Sequence, residues 1–161
     1  MSAPVPKPPP KRTLVFDSGA VVAWLRGEAD RADKVGKVLN NPKIDALLPA
    51  SGVAETLYVL TGREGAASTN EAVARLRGIT NLRFEPVTVD DGEWAGQHIR
   101  ESQLNPVVWP ADKNRPDSTL SLGDGLVLAV AHRLNAPAVT FDAAWGKFET
   151  MKFPLINAFR L

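Results

Sequence analysis

Residues 120–142, LSLGDGLVLAVAHRLNAPAVTFD, constrain the fold more than any other stretch of this 161-residue chain. From position 122 to 131 the segment is apolar almost all round, so a helix formed there has no natural solvent face and belongs inside the protein. Ser121 is placed to cap that helix, with Asp124 three residues further on. A turn around Pro137 follows, and the short run Ala138, Val139, Thr140, Phe141 reads as a strand that ends at Asp142. Two carboxylates are thereby carried into or beside a core, where an unpaired charge costs on the order of several kcal/mol. The rest of the chain is expected to bring further carboxylates to the same place.

Residues 1–12, MSAPVPKPPPKR, are dense in proline and have little to bury, so they are expected to form a disordered or polyproline-like arm, and the folded domain to span 13–161. The run 13–16 (TLVF) reads as a central strand, and a helix starts at Asp17-Ser18 and carries Ala20, Val21, Trp24 and Leu25. A second helix is expected over 30–39, a second strand over 44–48, and a helix after Pro49-Ala50-Ser51 that bears Val53, Glu55, Leu57, Tyr58 and Leu60. Then follow a helix over 68–78, an edge strand over 82–87 interrupted by Pro86, and a helix over 90–103. Residues 104–119 form a long proline-rich loop, and 153–161 can supply a last strand. Alternating strands and helices predict one α/β domain, a three-layer α/β/α sandwich with a central parallel sheet of Rossmann-like type.

Bulk properties exclude several classes of function. The chain has no cysteine, hence no disulfide framework, thiolate metal site or cysteine nucleophile. No apolar run approaches a membrane span, and the first residues lack the apolar core of a signal peptide, so the expected location is the cytoplasm. Lys7, Lys11 and Arg12 lie in the arm; without these three of its 19 basic residues, the chain carries 16 against 18 acidic ones, a net −2. A protein that grips nucleic acid by overall charge is strongly basic, so any nucleic-acid contact here must be local.

In a parallel α/β sheet the strand C-termini and the following helix N-termini share one edge, where ligand sites form. Asp17 ends the first strand, Glu55 lies about a turn after Ser51, Asp124 lies a turn after Ser121, and Asp142 ends the strand after Pro137. Each acid alone also fits a structural role. Asp17 and Asp142 can cap the next helix, Ser121 and Asp124 match a capping box, and Glu55 can favour a helix dipole. Helical spacing sets Glu55 between Tyr58 and Val59, and Asp124 between Leu128 and Ala131, so both are expected to be flanked by core. Clustered carboxylates repel unless a cation compensates, and an oxygen-only set suits Mg²⁺ or Mn²⁺. His98 and His132 lack a companion at metal-ligand spacing and are expected to pack or face solvent.

Four pieces, LVFDSGAVVAWLRGE, SGVAETL, LSLGDGLVLAVAHRL and PAVTFDAAW, together resemble the PIN-domain family in order and spacing, and in particular the VapC-like toxins of bacterial toxin–antitoxin pairs. The resemblance implies an endoribonuclease dependent on Mg²⁺ or Mn²⁺, with Asp17, Glu55, Asp124 and Asp142 as the acidic metal site and Ser18 and Thr140 supporting it. It further implies a homodimer and a small antitoxin that reaches into the site. Two features depart from the family: the glycines on both sides of Asp124, where one flanking residue is often larger, and the length of the 104–119 loop.

Such a site would hydrolyse RNA with metal-activated water and, lacking a catalytic histidine, leave a 5′-phosphate and a 3′-hydroxyl. Lys113, Arg115 and Arg133 are candidates for backbone contacts and Trp109 for stacking on an unpaired base. Trp24, Tyr58 and Leu60 are the apolar candidates for a dimer contact. Three other readings fit the residues: a metal-dependent DNA or junction nuclease, a non-catalytic module binding a cation or basic peptide, and a phosphoryl-handling enzyme. The last lacks an evident glycine-rich phosphate loop and catalytic lysine.

Overall fold

The computed structural model describes residues 6–63 and 69–161. The first five residues of the expected arm, and Ser68 at the expected start of a helix, lie outside the described residues. Pro6 to Lys11 are exposed and without regular structure, whereas Arg12, assigned to the arm from sequence, already pairs with Ile44 in the first strand.

Five strands, β1 (Arg12–Phe16), β2 (Ile44–Pro49), β3 (Leu82–Glu85), β4 (Ala138–Thr140) and β5 (Leu155–Asn157), form one parallel sheet in the order β3-β2-β1-β4-β5. Period-two alternation sends the strand residues to opposite faces. Leu14, Phe16, Ala46, Leu48 and Val139 enter one core, with Val21, Val35, Leu39 and Leu76. Val15, Leu47 and Ala138 enter the other, with Val127, Leu128, Val130, Trp145 and Phe148. A sheet buried on both faces is what the continuous apolar strands predict. The three-layer α/β/α reading holds, and β3 is an edge strand that stops before Pro86.

Among the described residues, six α-helices complete the layers: α1 (Ser18–Leu25), α2 (Arg31–Leu39), α3 (Ala50–Arg63), α4 (Thr69–Arg77), α5 (Val89–Leu104) and α6 (Leu122–Arg133). Gly27, at φ 60, ends α1 with the left-handed conformation that glycine adopts freely. Asn135, at φ 48, does the same after α6 and turns the chain into β4. In α6, the residues from Val127 to Ala131 are buried, as the all-round apolar pattern requires. Leu122 at its start is exposed, so the buried stretch begins one turn later than the sequence suggests.

Helix α6 packs on α5 through Gly125, where an added Cβ would sit 2.7 Å from Ile99 Cδ1. Its far end is tied by Arg133. The guanidinium donates from Nε to Asp91 at 3.0 Å, from Nη1 to Glu85 at 3.1 Å and from Nη2 to the Pro86 carbonyl at 2.9 Å. This corrects the expectation that Arg133 contacts a phosphate backbone. It is the last residue of α6, nine positions and roughly 14 Å along the helix from Asp124. Each of its three guanidinium nitrogens donates to a carboxylate or a carbonyl of its own fold.

The apolar dimer candidates divide in the same way. Leu60 is fully buried, and Trp24 is half-buried against Gly36, where a Cβ would meet its ring at 2.6 Å. Only Tyr58 is bare, at 78% exposure.

Arg133→Ala leaves Asp91, whose side chain is 2% exposed, without its countercharge. It should lower stability by about 3 kcal/mol in urea unfolding. Arg83→Ala, which breaks the Arg83–Asp45 pair at 2.6 Å but leaves an exposed site, should cost at most about 1 kcal/mol.

A carboxylate site at the switch between β1 and β4

Strand order reverses between β1 and β4, since β2 and β3 lie to one side and β5 to the other. A crevice opens at such a point beyond the strand C-termini. Asp17 follows β1 directly, and its backbone N–H donates to the Val139 carbonyl of β4 at 3.0 Å, so the two strands hold it between them. Its Oδ2 accepts the Thr140 hydroxyl at 3.0 Å, and the Thr140 oxygen in turn accepts the Asp142 backbone N–H at 2.9 Å. One threonine thus links the ends of both strands. Ser18, the other expected supporting residue, is buried at the first position of α1.

Asp124 is set by the first turn of α6. Its backbone N–H donates to the Ser121 hydroxyl at 3.1 Å, and its Oδ2 accepts the Ser121 N–H at 2.8 Å. The capping box forms, yet only one carboxylate oxygen serves it. Glu55 arrives from α3. That helix starts at Ala50, directly after β2, so Glu55 sits in the second turn and is no first-turn acid. Of the expected core neighbours of Glu55, Tyr58 instead points to solvent. Glu55 Oε2 is buried without a hydrogen-bond partner. It lies against Gly123 of α6, where a Cβ would come within 2.7 Å of it. Asp142 is exposed at the margin, and its Oδ1 accepts the Ala144 N–H at 2.8 Å, capping a 3-10 turn over Ala143–Gly146.

The four acids feel one another. Burial pushes the Asp17 carboxyl up to about 7, helped by the charge of Asp124 and, less strongly, of Glu55 and Asp142, against the opposing Thr140 hydrogen bond. Asp124 is raised as well, chiefly by burial, with Asp142 and Glu55 adding and the Ser121 contacts opposing. Among the described residues, no three Asp, Glu or His side chains already stand as a closed metal cage. The donor set is nonetheless oxygen-only and partly desolvated, and Glu55 brings a buried oxygen that nothing in the protein satisfies. These residues fit a hard divalent ion such as Mg²⁺ or Mn²⁺.

Histidine is absent from this edge. His98 stacks on Trp94 at 3.5 Å between ring centroids, and its Nδ1 lies 2.8 Å from the Trp94 carbonyl; His132 lies 5.1 Å from the same indole. His98 packs and His132 is exposed beside the same ring, in line with the expectation that the histidines pack or face solvent. Of the substrate candidates, Lys113 is exposed and Arg115 lies over the ring of Trp109, both in the segment between α5 and α6. Gly123 stood out in the sequence only as one of the two glycines around Asp124, with no role attached, and Lys147, which also lies over Trp109, had no signal at all.

The family model described as the PIN domain matches residues 14–150, and the chain belongs to that family. No curated protein matches the sequence. Solved structures share the fold at low identity. VapC20 of Mycobacterium tuberculosis, described as a sarcin-ricin loop cleaving toxin, is 22% identical, with a TM-score of 0.59 over 89% of this chain and 97% of that one. FitAcB from Neisseria gonorrhoeae is 16% identical, with a TM-score of 0.64 over 92% and 99%. A toxin-antitoxin complex from Klebsiella pneumoniae is 12% identical, with a TM-score of 0.58 over 90% and 97%.

The raised Asp17 carboxyl has a direct consequence for stability without metal. Its folded value of about 7 lies above the unfolded one, so the folded state holds the proton more tightly. In chelator, stability should therefore fall as pH rises from about 4 to about 7 and then level off with respect to this group. Asp17→Asn, which still accepts from Thr140, should flatten that slope and melt higher than the parent at pH 8; thermal melts across pH check both.

Proposed function

We propose that the protein is an endoribonuclease dependent on Mg²⁺ or Mn²⁺ and the toxin of a toxin–antitoxin pair. The observation that carries this reading is the convergence of four carboxylates at the β1/β4 switch, with Glu55 Oε2 buried and unpartnered. Membership of the PIN family and the likeness in fold to a loop-cleaving toxin support it.

Asp17 and Asp124 would hold the ion, with Glu55 and Asp142 at its margin. A bound divalent ion lowers the pKa of water and neutralises charge at a phosphodiester. The chain's own residues organise the rest. Thr140 holds Oδ2 of Asp17 and Ser121 holds Oδ2 of Asp124, so each carboxyl keeps a second oxygen for a ligand. The reaction is hydrolysis: water adds to phosphorus, the P–O3′ bond breaks, and the products carry a 5′-phosphate and a 3′-hydroxyl. The target is RNA in the cytoplasm, and an antitoxin would cover the acidic edge. A second copy of the chain would pack on the exposed face of α3 around Tyr58.

The test is cleavage of single-stranded RNA by the purified protein in Mg²⁺ or Mn²⁺ and in chelator. Cleavage should require the ion, and Asp124→Asn should reduce it by about a hundredfold or more, as loss of several kcal/mol of charge stabilisation implies. Equal cleavage in chelator would defeat the mechanism.

Gly123→Val tests the site without reading activity. All four carboxyls remain, but the new side chain displaces that of Glu55. Mn²⁺ should raise the melting temperature of the parent by binding the folded state, and should raise that of the variant markedly less.

A further inference from the structure

The segment between α5 and α6 is pinned by its own contacts. Val107 and Ser118 form an antiparallel bridge in which each N–H donates to the other's carbonyl at 2.9 Å. The Ser118 hydroxyl also accepts the Trp109 indole N–H at 2.9 Å, which fixes the ring relative to the bridge. Two cations lie over that ring. The Arg115 guanidinium is 3.4 Å from the ring centroid and the Lys147 ammonium 5.1 Å, both within the roughly 6 Å of a cation–π contact. Neither cation forms a salt bridge among the described residues.

Lys147 reaches the ring from a different part of the chain. It closes the 3-10 turn that Asp142 opens. At about 2 Å rise per residue, its backbone lies on the order of 10 Å from that of Asp142. The indole therefore gathers two unpaired positive charges beside the acidic edge. A stacked guanidinium also keeps its fork of donors free at the rim, the geometry that suits phosphate oxygens.

We propose that Arg115 and Lys147, held on Trp109, grip the phosphates of the nucleic-acid strand that flank the bond to be cleaved. The inference rests on the nuclease reading above. It makes Trp109 a positioning residue: the ring face on which a base would stack already carries a guanidinium. It also adds Lys147, which sequence reasoning had not singled out. A strand with one phosphate at Asp17 and Asp142 continues past Lys147 and Arg115, where a polyanion meets its first local positive charge.

The test is binding of a fluorescent single-stranded RNA oligonucleotide to the full chain in chelator, measured by anisotropy over a range of salt. Arg115→Gln and Lys147→Gln should each reduce the slope of log K against log salt by about 0.7, and the double variant by about 1.4. Trp109→Leu leaves the charge unchanged yet should lose about as much slope as the double variant, and Trp109→Phe should recover most of it. Melting temperatures near the parent's confirm that the variants are folded. Single-stranded DNA of the same sequence should show the same losses, since phosphate contacts do not read the sugar. A double variant with the parent's slope overturns the grip alone. A Trp109→Leu variant with the parent's slope overturns the positioning role. A parent that binds no RNA in chelator overturns the grip, whereas the nuclease reading stands or falls separately, on whether cleavage requires Mg²⁺ or Mn²⁺.

Discussion

The costliest feature of this structure is a carboxyl at the end of its most central strand. β1 is flanked by β2 and β4 and buried on both faces, so whatever residue follows Phe16 emerges from the middle of the protein. That residue is Asp17, and its surroundings push its carboxyl up to about 7. A structural cap would be satisfied at the surface at no such cost. Here Asp17, the nominal N-cap of α1, makes no side-chain capping hydrogen bond to that helix, and its carboxyl is engaged by Thr140 instead. Much of what surrounds the switch can be understood as holding that group in place. Val139 takes its backbone and Thr140 takes one oxygen.

Capping and ligand binding are usually weighed as rivals when an acid follows a serine by three residues. At Asp124 one arrangement is compatible with both. The box with Ser121 orients the carboxyl and uses one oxygen, while the residues behind it, Leu128 and Ala131, anchor the helix in the core. A cap that also bears a function is a rigid way to present a charge, because the first turn of a buried helix has little freedom to relax. At Glu55 the logic differs. Its position depends on a missing side chain on another helix, Gly123, and its buried oxygen is satisfied by nothing within the protein. Of the two glycines that depart from the family's pattern, Gly123 is the one that makes room for Glu55.

Most of the architecture was legible because it is local. Apolar runs ending at Asp17 and Asp142, an all-round apolar helix and proline breaks each dictate their own element. The convergence of the acids followed from topology, since parallel strands put their C-termini on one edge. What could not be read was which neighbour each long side chain meets. Arg133 looked like any surface cation, but Asp91 and Glu85 lie 42 and 48 positions away in sequence. Tyr58 and Leu60 are two residues apart on one helix and differ completely in exposure. α3 starts at Ala50, two residues before the start that Ser51 as a cap would give, and Glu55 therefore lies in the second turn.

The charge distribution adds a final constraint. Beyond the N-terminal arm the chain is net negative, and its acidic edge by itself repels a phosphodiester. An ion in the site would relieve that repulsion only at close range, because screening confines exposed charges to about 8–10 Å at ordinary salt. A nuclease of the proposed kind would therefore need positive charge at the next phosphates along the strand, placed locally and not paired internally. Arg133 cannot serve, since its own fold consumes it. On the proposed reading the cations over Trp109 can: among the described residues they form no salt bridge, an aromatic ring that does not neutralise them holds both, and Lys147 is joined to Asp142 by a single turn of chain. On this view the length of the 104–119 segment serves to carry Arg115 out to Trp109 beside the acidic edge.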